Sequence, residues 1–343
     1  MVELMNLKLL FTLCFTLLLI ACFPAQDPNG KQEVLLQGRT MGTTYNIKVV
    51  VENDTYDTTA LHQAIDKALV QVNQEMSTYI ANSELSLFNK SEGEIPVEMS
   101  TGLSKVINEA LRLGNITDGM LDVTVGPLVN LWGFGPDYRP EKIPTPTEQS
   151  QARSRIGIDK IIVSGQKIRK TQPDVYVDLS TIAKGYGVDV VAELVEKEGF
   201  DSYLVEIGGE MRLKGFKANG TLWTIAVEKP LSTERSVHQI VVPKDNAVAT
   251  SGDYRNYIEV DGQRYSHIID PATGLPIEHK LVSVTVIHPS SMTADGLSTA
   301  IMVMGPQKGL AFAQQYDLAA MLIVKTDNGF EEINTVKFMQ YLK

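Results

Sequence analysis

The sequence predicts an α+β fold: one large body with mixed sheets and packed helices. Three observations lead there. Apolar residues recur at helical spacing in some segments and in short strand-like runs in others. The two kinds are interleaved without the regular strand–helix alternation of a parallel sheet. No internal repeat or low-complexity tract divides the chain. At 343 residues, 43% hydrophobic and 21% charged, the chain can fill a large core. A net charge of −10 argues against a nucleic-acid partner, which would need a basic face. A phosphorylated small ligand stays open, because helix N-termini and a few Lys or Arg can hold one locally.

Taken in order, residues 7–21 are almost wholly apolar, too short for a membrane span and suited to a secretory signal. That run ends Leu19-Ile20-Ala21-Cys22, a lipobox-like pattern in which Cys22 would carry lipid. Residues 1–21 are therefore expected to be a lipoprotein signal peptide and 22–32 a lipidated tether rich in Pro, Gly and Asn. Cys14 and Cys22 are the only cysteines, so the body, 33–343, has neither a disulfide nor a thiolate metal site.

Within the body, strands are expected at 34–36 and 45–51, flanking a loop at 39–43. Leu61, Ile65, Leu69, Val72 and Met76 share one helical face, and Leu103, Val106, Ile107, Ala110 and Leu111 share another. Residues 128–132 suit a short helix, and 133–147, with four prolines, an irregular loop. Buried strands are expected at 159–163 and 175–179, then a helix over 181–198. Strands follow at 202–207, 223–227, 237–242, 254–260 and 281–287, helices at 292–304 and 306–315, and a last strand at 319–324.

Three polar stations lie within fifty residues. The first is Thr250-Ser251-Gly252-Asp253-Tyr254-Arg255-Asn256-Tyr257. The second is Ser266-His267-Ile268-Ile269-Asp270-Pro271-Ala272-Thr273-Gly274, which sets an imidazole at the mouth of a buried strand before a tight turn. The third carries Asp295, Ser298 and Thr299 on one helical face, a carboxylate with neutral oxygens that suits Mg²⁺ better than Zn²⁺. The same residues would also serve a plain helix start, with Thr293 as cap and Asp295 on the dipole. Asp178-Leu179-Ser180-Thr181-Ile182-Ala183-Lys184-Gly185 leads from strand to helix and reads equally as an anion site or a capped helix beside a solvated lysine. Residues 206–210, Glu-Ile-Gly-Gly-Glu, read first as a hairpin turn and second as a site wall. Met41, Tyr79 and Trp132 read as core groups. Of the five histidines only His267 stands among other candidates, which makes it the choice for proton transfer.

With these stations in place, the sequence resembles the ApbE-type FAD:protein FMN transferases, from about Gly38 to the C-terminal strand. The resemblance rests on Gly38-Arg39-Thr40-Met41-Gly42-Thr43, on Ser77-Thr78-Tyr79, and on Asp122-Val123-Thr124-Val125-Gly126-Pro127 with its continuation to Gly135. It rests equally on the segment from Asp178 to Tyr186, on the three stations, and on Ala294-Asp295-Gly296. It implies a T-fold-related catalytic body and a Mg²⁺-dependent enzyme that joins FMN from FAD to a Thr or Ser hydroxyl, releasing AMP. The acceptors it implies are subunits of Na⁺-translocating NADH:quinone reductase or RNF-type complexes, reached from the periplasmic side of the inner membrane.

By the same resemblance Met41 and Tyr79 contact the flavin nucleotide, and Met120, Leu121, Asp122 and Ile269 line its pocket. Asp178 and Lys184 hold FAD, and His267 takes the acceptor's proton. The metal takes the Thr181 carbonyl, Asp295, and Ser298 or Thr299. Two other readings share these groups: a Mg²⁺-dependent FAD pyrophosphatase that uses water, and a non-catalytic FAD-binding lipoprotein.

Overall fold

The computed structural model describes residues 30–52, 57–93, 95–136, 142–231, 236–254, 256–260 and 262–343. The expected signal peptide, Cys22 and most of the tether lie outside the described residues, as does Arg255.

The chain opens with β1 (Gln32–Thr40) and β2 (Thr43–Val51), then α1 (Thr59–Met76), α2 (Glu84–Lys90), β3 (Val97–Glu98) and α3 (Thr101–Ile116). Next come α4 (Gly126–Leu131), α5 (Pro146–Arg153), β4 (Ile161–Ser164), β5 (Lys167–Lys170), α6 (Ala183–Lys197), β6 (Tyr203–Ile207) and β7 (Glu210–Lys214). Then follow β8 (Ile225–Glu228), β9 (Val237–Val241), β10 (Ala247–Gly252), β11 (Tyr257–Val260), β12 (Gln263–Ser266) and β13 (Leu281–His288). The chain ends with α7 (Ser291–Gln315), β14 (Ala319–Thr326), β15 (Gly329–Asn334) and α8 (Val336–Met339).

Among the described residues the main sheet has eight strands in the order β1-β2-β6-β7-β10-β13-β14-β15, each pair antiparallel. Antiparallel neighbours need only short links, so the long helical excursions are free to stack on the sheet. Helices α1, α6 and α7 cover one face: Leu61, Ile65 and Leu69 of α1 pack with Val188, Val191 and Val195 of α6 over β2 and β6. Burying each such side chain contributes roughly 1.5–3 kcal/mol. The β8–β9 ribbon and α8 cover the other face through Trp223, Ile225, Val241 and Phe338. Buried on both sides, β13 reads Leu-Val-Ser-Val-Thr-Val-Ile-His, nearly all apolar as such a strand must be.

Several expectations need correction. The loop at 39–43 shrinks to Met41-Gly42, with φ of 48° and 72°, the paired positive angles of a tight hairpin turn. Residues 175–179 are largely buried but join no sheet. The Asn89 side chain takes a strand's place, accepting from Val177 N and donating to Val177 O, each at 2.8 Å. Residues 158–160 wind into a 3₁₀ turn, so β4 starts only at Ile161. The helices expected at 292–304 and 306–315 form one element broken at Gly305 (φ 76°), where Pro306 brings no amide to the ladder. After β14 the chain adds β15 and α8, whose polar exposed faces gave no clear period.

Candidate active site

A cavity of about 870 Å³ opens where the helical face of the sheet meets α4 and the segment after β12. Each wall comes from a different part of the chain. Met41 enters from the β1–β2 turn, and Tyr79 from the segment after α1. Met120, Leu121 and Asp122 come from the loop after α3, and Asp178, Thr181 and Lys184 from the lead into α6. His267 and Ile269 follow β12, and Thr299 comes from α7. Asp295 and Ser298 are buried on α7 beside Thr299, behind that wall. Tyr79 is 71% exposed at the rim, which corrects its reading as a core group; Trp132 is buried as expected.

Asx turns shape two walls. Asp178 Oδ1 accepts from Ser180 N at 2.8 Å, turning the extended segment into α6. Asp122 Oδ1 accepts from Thr124 N and Oγ1 at 2.7 and 2.6 Å. Burial pushes the Asp122 carboxyl up against those two bonds. Met41 sits left-handed at the hairpin tip, and its side chain fills the space that a Cβ on Gly187 would take.

His267 is braced by main chain. Its amide and Nδ1 both meet the Asn256 carbonyl, at 3.3 and 2.9 Å. Since a carbonyl only accepts, Nδ1 carries the hydrogen and Nε2 is left as an acceptor. Phe134 stands edge-on to the ring at 6.2 Å. Burial first, and the Lys184 charge after it, lower the pKa of His267 against the raising effect of its carbonyl bond. The imidazole is therefore neutral near pH 7.

Three titratable groups are packed together around Lys184, which also lines the cavity. Lys184 Nζ pairs with Glu210 at 2.7 Å, and Glu210 is 2% exposed. Burial works against the Lys184 ammonium, yet Glu210, Asp295 and Glu206 hold its pKa above the ordinary value. Asp295 Oδ2 accepts from Gly185 N at 2.9 Å. Burial, reinforced by the Glu210 charge, pushes the Asp295 carboxyl up to about 8, despite Lys184 and the Gly185 amide. Two buried carboxyl groups share one ammonium, so with no other cation present Asp295 keeps its proton, and full ionisation would leave the cluster short of positive charge.

That shortage and the donors around it fit a hard cation. Among the described residues no group of three His, Cys, Asp or Glu side chains forms a metal cage. Oxygens are present instead: Thr181 Oγ1 is buried without a hydrogen-bond partner, and Thr299 lines the cavity. The Gly185 amide, in the first turn of α6 and so without a partner in its own helix, goes to Asp295. One carboxylate with neutral oxygens and room for phosphate or water is a donor set suited to Mg²⁺.

Glu210 is the residue the sequence hid. A Gly-Gly pair with φ of 60° and 105° does make the β6–β7 turn, as expected, but the acid after it points into the core. The available signal was the two-residue turn itself, which pairs Glu210 directly with Ile207 and so puts both side chains on the same buried face.

A large cleft lined by a neutral imidazole, an ammonium and oxygen donors defines a class of protein built for a sizeable phosphate-bearing ligand. The ApbE family pattern matches residues 41–322. A FAD:protein FMN transferase of Vibrio cholerae is 52% identical over 311 residues, covering 91% of this chain and 93% of that protein. The solved structure of the flavin transferase ApbE from Vibrio cholerae superposes with a TM-score of 0.85 at 51% identity, covering 91% of this chain and all of that one. The apo flavinyl transferase ApbE of Pseudomonas stutzeri gives a TM-score of 0.85 at 39% identity, over 92% of this chain and 98% of that one. The chain belongs to the ApbE family.

Proposed function

We propose that the protein is a FAD:protein FMN transferase that links FMN through a phosphoester to a Thr or Ser hydroxyl of an acceptor protein. The observation that carries this reading is the acceptor-only Nε2 of His267, in a cavity that Lys184 and Thr299 also line. The acceptor hydroxyl oxygen attacks the phosphorus on the FMN side of the FAD pyrophosphate. The bond to the AMP oxygen breaks in line, and the hydroxyl proton goes to His267 Nε2. Lys184, held by Glu210, faces the pyrophosphate charge. Met41, Met120, Leu121 and Ile269 exclude water from the flavin half, and Tyr79 covers it at the rim. Asp178 and Asp122 keep their turns and so the shape of the pocket.

Mg²⁺ would be held by the Thr181 carbonyl, Asp295 and Thr299, with Ser298 beside them, and when bound it neutralises charge on the phosphate oxygens. The unpartnered Thr181 Oγ1 and the proton that Asp295 retains beside Glu210, which a cation would replace, support that assignment.

The acceptors proposed are subunits of Na⁺-translocating NADH:quinone reductase or RNF-type complexes, met at the periplasmic face of the inner membrane by an enzyme anchored through lipid on Cys22. Among the described residues no helix is long and apolar enough to cross a membrane. The test is incubation with FAD and Mg²⁺, with and without an acceptor domain, read by in-gel flavin fluorescence and AMP release. Acceptor-dependent AMP and flavin that survives denaturation are expected. AMP release indifferent to the acceptor would make the protein a pyrophosphatase; tight FAD binding without turnover would make it a carrier.

A further inference from the structure

Behind the Thr299 wall runs a short line of hydroxyls. Ser298 Oγ donates to the Asp295 carbonyl at 2.9 Å, which uses its one hydrogen. Ser251 Oγ lies 2.8 Å from Ser298 Oγ and 3.1 Å from Thr299 Oγ1. Because Ser298 has no hydrogen left, Ser251 must donate to it. Because the Ser251 hydrogen is then used, Thr299 must donate to Ser251. The line runs Thr299, Ser251, Ser298, Asp295 carbonyl, and only this direction satisfies all three contacts. Ser251 itself is fixed by the ladder of β10 with β13, where it pairs with Val284, so the middle of the line does not drift with α7.

We infer that Ser251 is a positioning residue for the metal site: it turns the Thr299 hydroxyl hydrogen away from the cavity, so that Thr299 meets the ligand with lone pairs only. An oxygen held that way ligates a hard cation and accepts hydrogen bonds, but it cannot donate to a phosphate. Ser251 is absent from the cavity lining and therefore acts only through its neighbours. Without it, the Thr299 hydrogen is free to swing into the cavity, where it opposes a cation and competes for phosphate oxygens. This inference rests on the cation reading given above.

The experiment is Mn²⁺ binding to the full chain without nucleotide, followed by the free-ion electron paramagnetic resonance signal. It compares wild type, Ser251→Ala, Thr299→Val, the double variant, and Asp295→Asn as the control that removes the carboxylate. Groups that orient a metal ligand typically change affinity by about 10–100-fold, and a loss in that range is expected for Ser251→Ala. In the Thr299→Val background the same change should cost less than about twofold, since the hydroxyl it acts through is gone. Equal losses in both backgrounds, or no loss for Ser251→Ala in the wild-type background, would overturn the inference while leaving the cation site intact. Absence of Mn²⁺ binding by the wild type would overturn both. If Ser251→Ala does not fold, Ser251→Cys takes its place, filling the same position with a much weaker donor.

Discussion

The amide of Gly185 reaches Oδ2 of Asp295 across 2.9 Å, tying the first turn of α6 to α7. The approach needs glycine for space: a Cβ on Gly185 would lie 2.3 Å from the Ser291 carbonyl oxygen and 2.8 Å from Asp295 Cβ. Gly185→Ala is expected to push the two helices apart and destabilise the protein by about 1–3 kcal/mol, despite alanine's better helix propensity. Urea unfolding reads the loss; an Ala variant as stable as wild type would mean that the helices are not in this contact.

Asp295 sets a pH dependence. Its carboxyl, pushed up to about 8, holds its proton more tightly in the folded than in the unfolded protein. Between about pH 4 and that value the unfolded chain has already lost the proton, so stability of the metal-free protein falls as pH rises through this window, then levels off. Asp295→Asn keeps an acceptor for the Gly185 amide and removes the charge. It should flatten the slope, raise the metal-free Tm and abolish transfer. Saturating Mg²⁺ should flatten the wild-type slope as well. Thermal melts across that pH range with and without Mg²⁺ check this; identical slopes in wild type and Asp295→Asn would refute it.

In the proposed mechanism His267 acts in its neutral form, and burial holds its pKa below the ordinary 6.5. The acid limb of kcat/KM should therefore lie below pH 6.5. The stability that follows from burying a neutral ring is full above that pH and is lost as pH falls through the lowered value. His267→Ala should lower transfer by about 10²–10⁴-fold with FAD binding retained. Equal loss of FAD binding, read by fluorescence quenching, would reassign the ring to ligand binding.

Asp189 holds the start of α7. It accepts from Ser290 Oγ at 2.7 Å and from the amides of Ser291 and Met292 at 3.0 Å each, and it pairs with Arg212 at 3.1 Å. Asp189→Ala leaves two buried amides and Arg212 without that partner and should cost roughly 3 kcal/mol. Asp189→Asn should recover part of it. A change below about 0.5 kcal/mol in denaturant unfolding, the range of an ordinary surface substitution, would contradict the assignment.

Periodicity exposed what depends on burial alone. The α1 face of Leu61, Ile65, Leu69, Val72 and Met76 and the apolar run of β13 were both readable, because a buried stripe needs apolar residues wherever the chain meets the core. It failed where a side chain stood in for backbone: nothing in residues 175–179 announces that Asn89 supplies their partner. The site showed the same division. His267, Lys184, Thr181 and Asp295 were legible as chemistry-bearing types in company. Glu210 looked like the end of a turn, and the role of Ser251 exists only once β10 and α7 are side by side.

The carbonyl that steadies the His267 ring belongs to Asn256, and a carbonyl is supplied by every amino acid. As far as the imidazole is concerned, position 256 is thus free to drift over evolutionary time without loss of the tautomer. A catalytic base oriented by a partner acid would be disabled by one point mutation in that acid. The orientation of the His267 ring is vulnerable only to changes that reroute the chain, such as an insertion or deletion between 256 and 267.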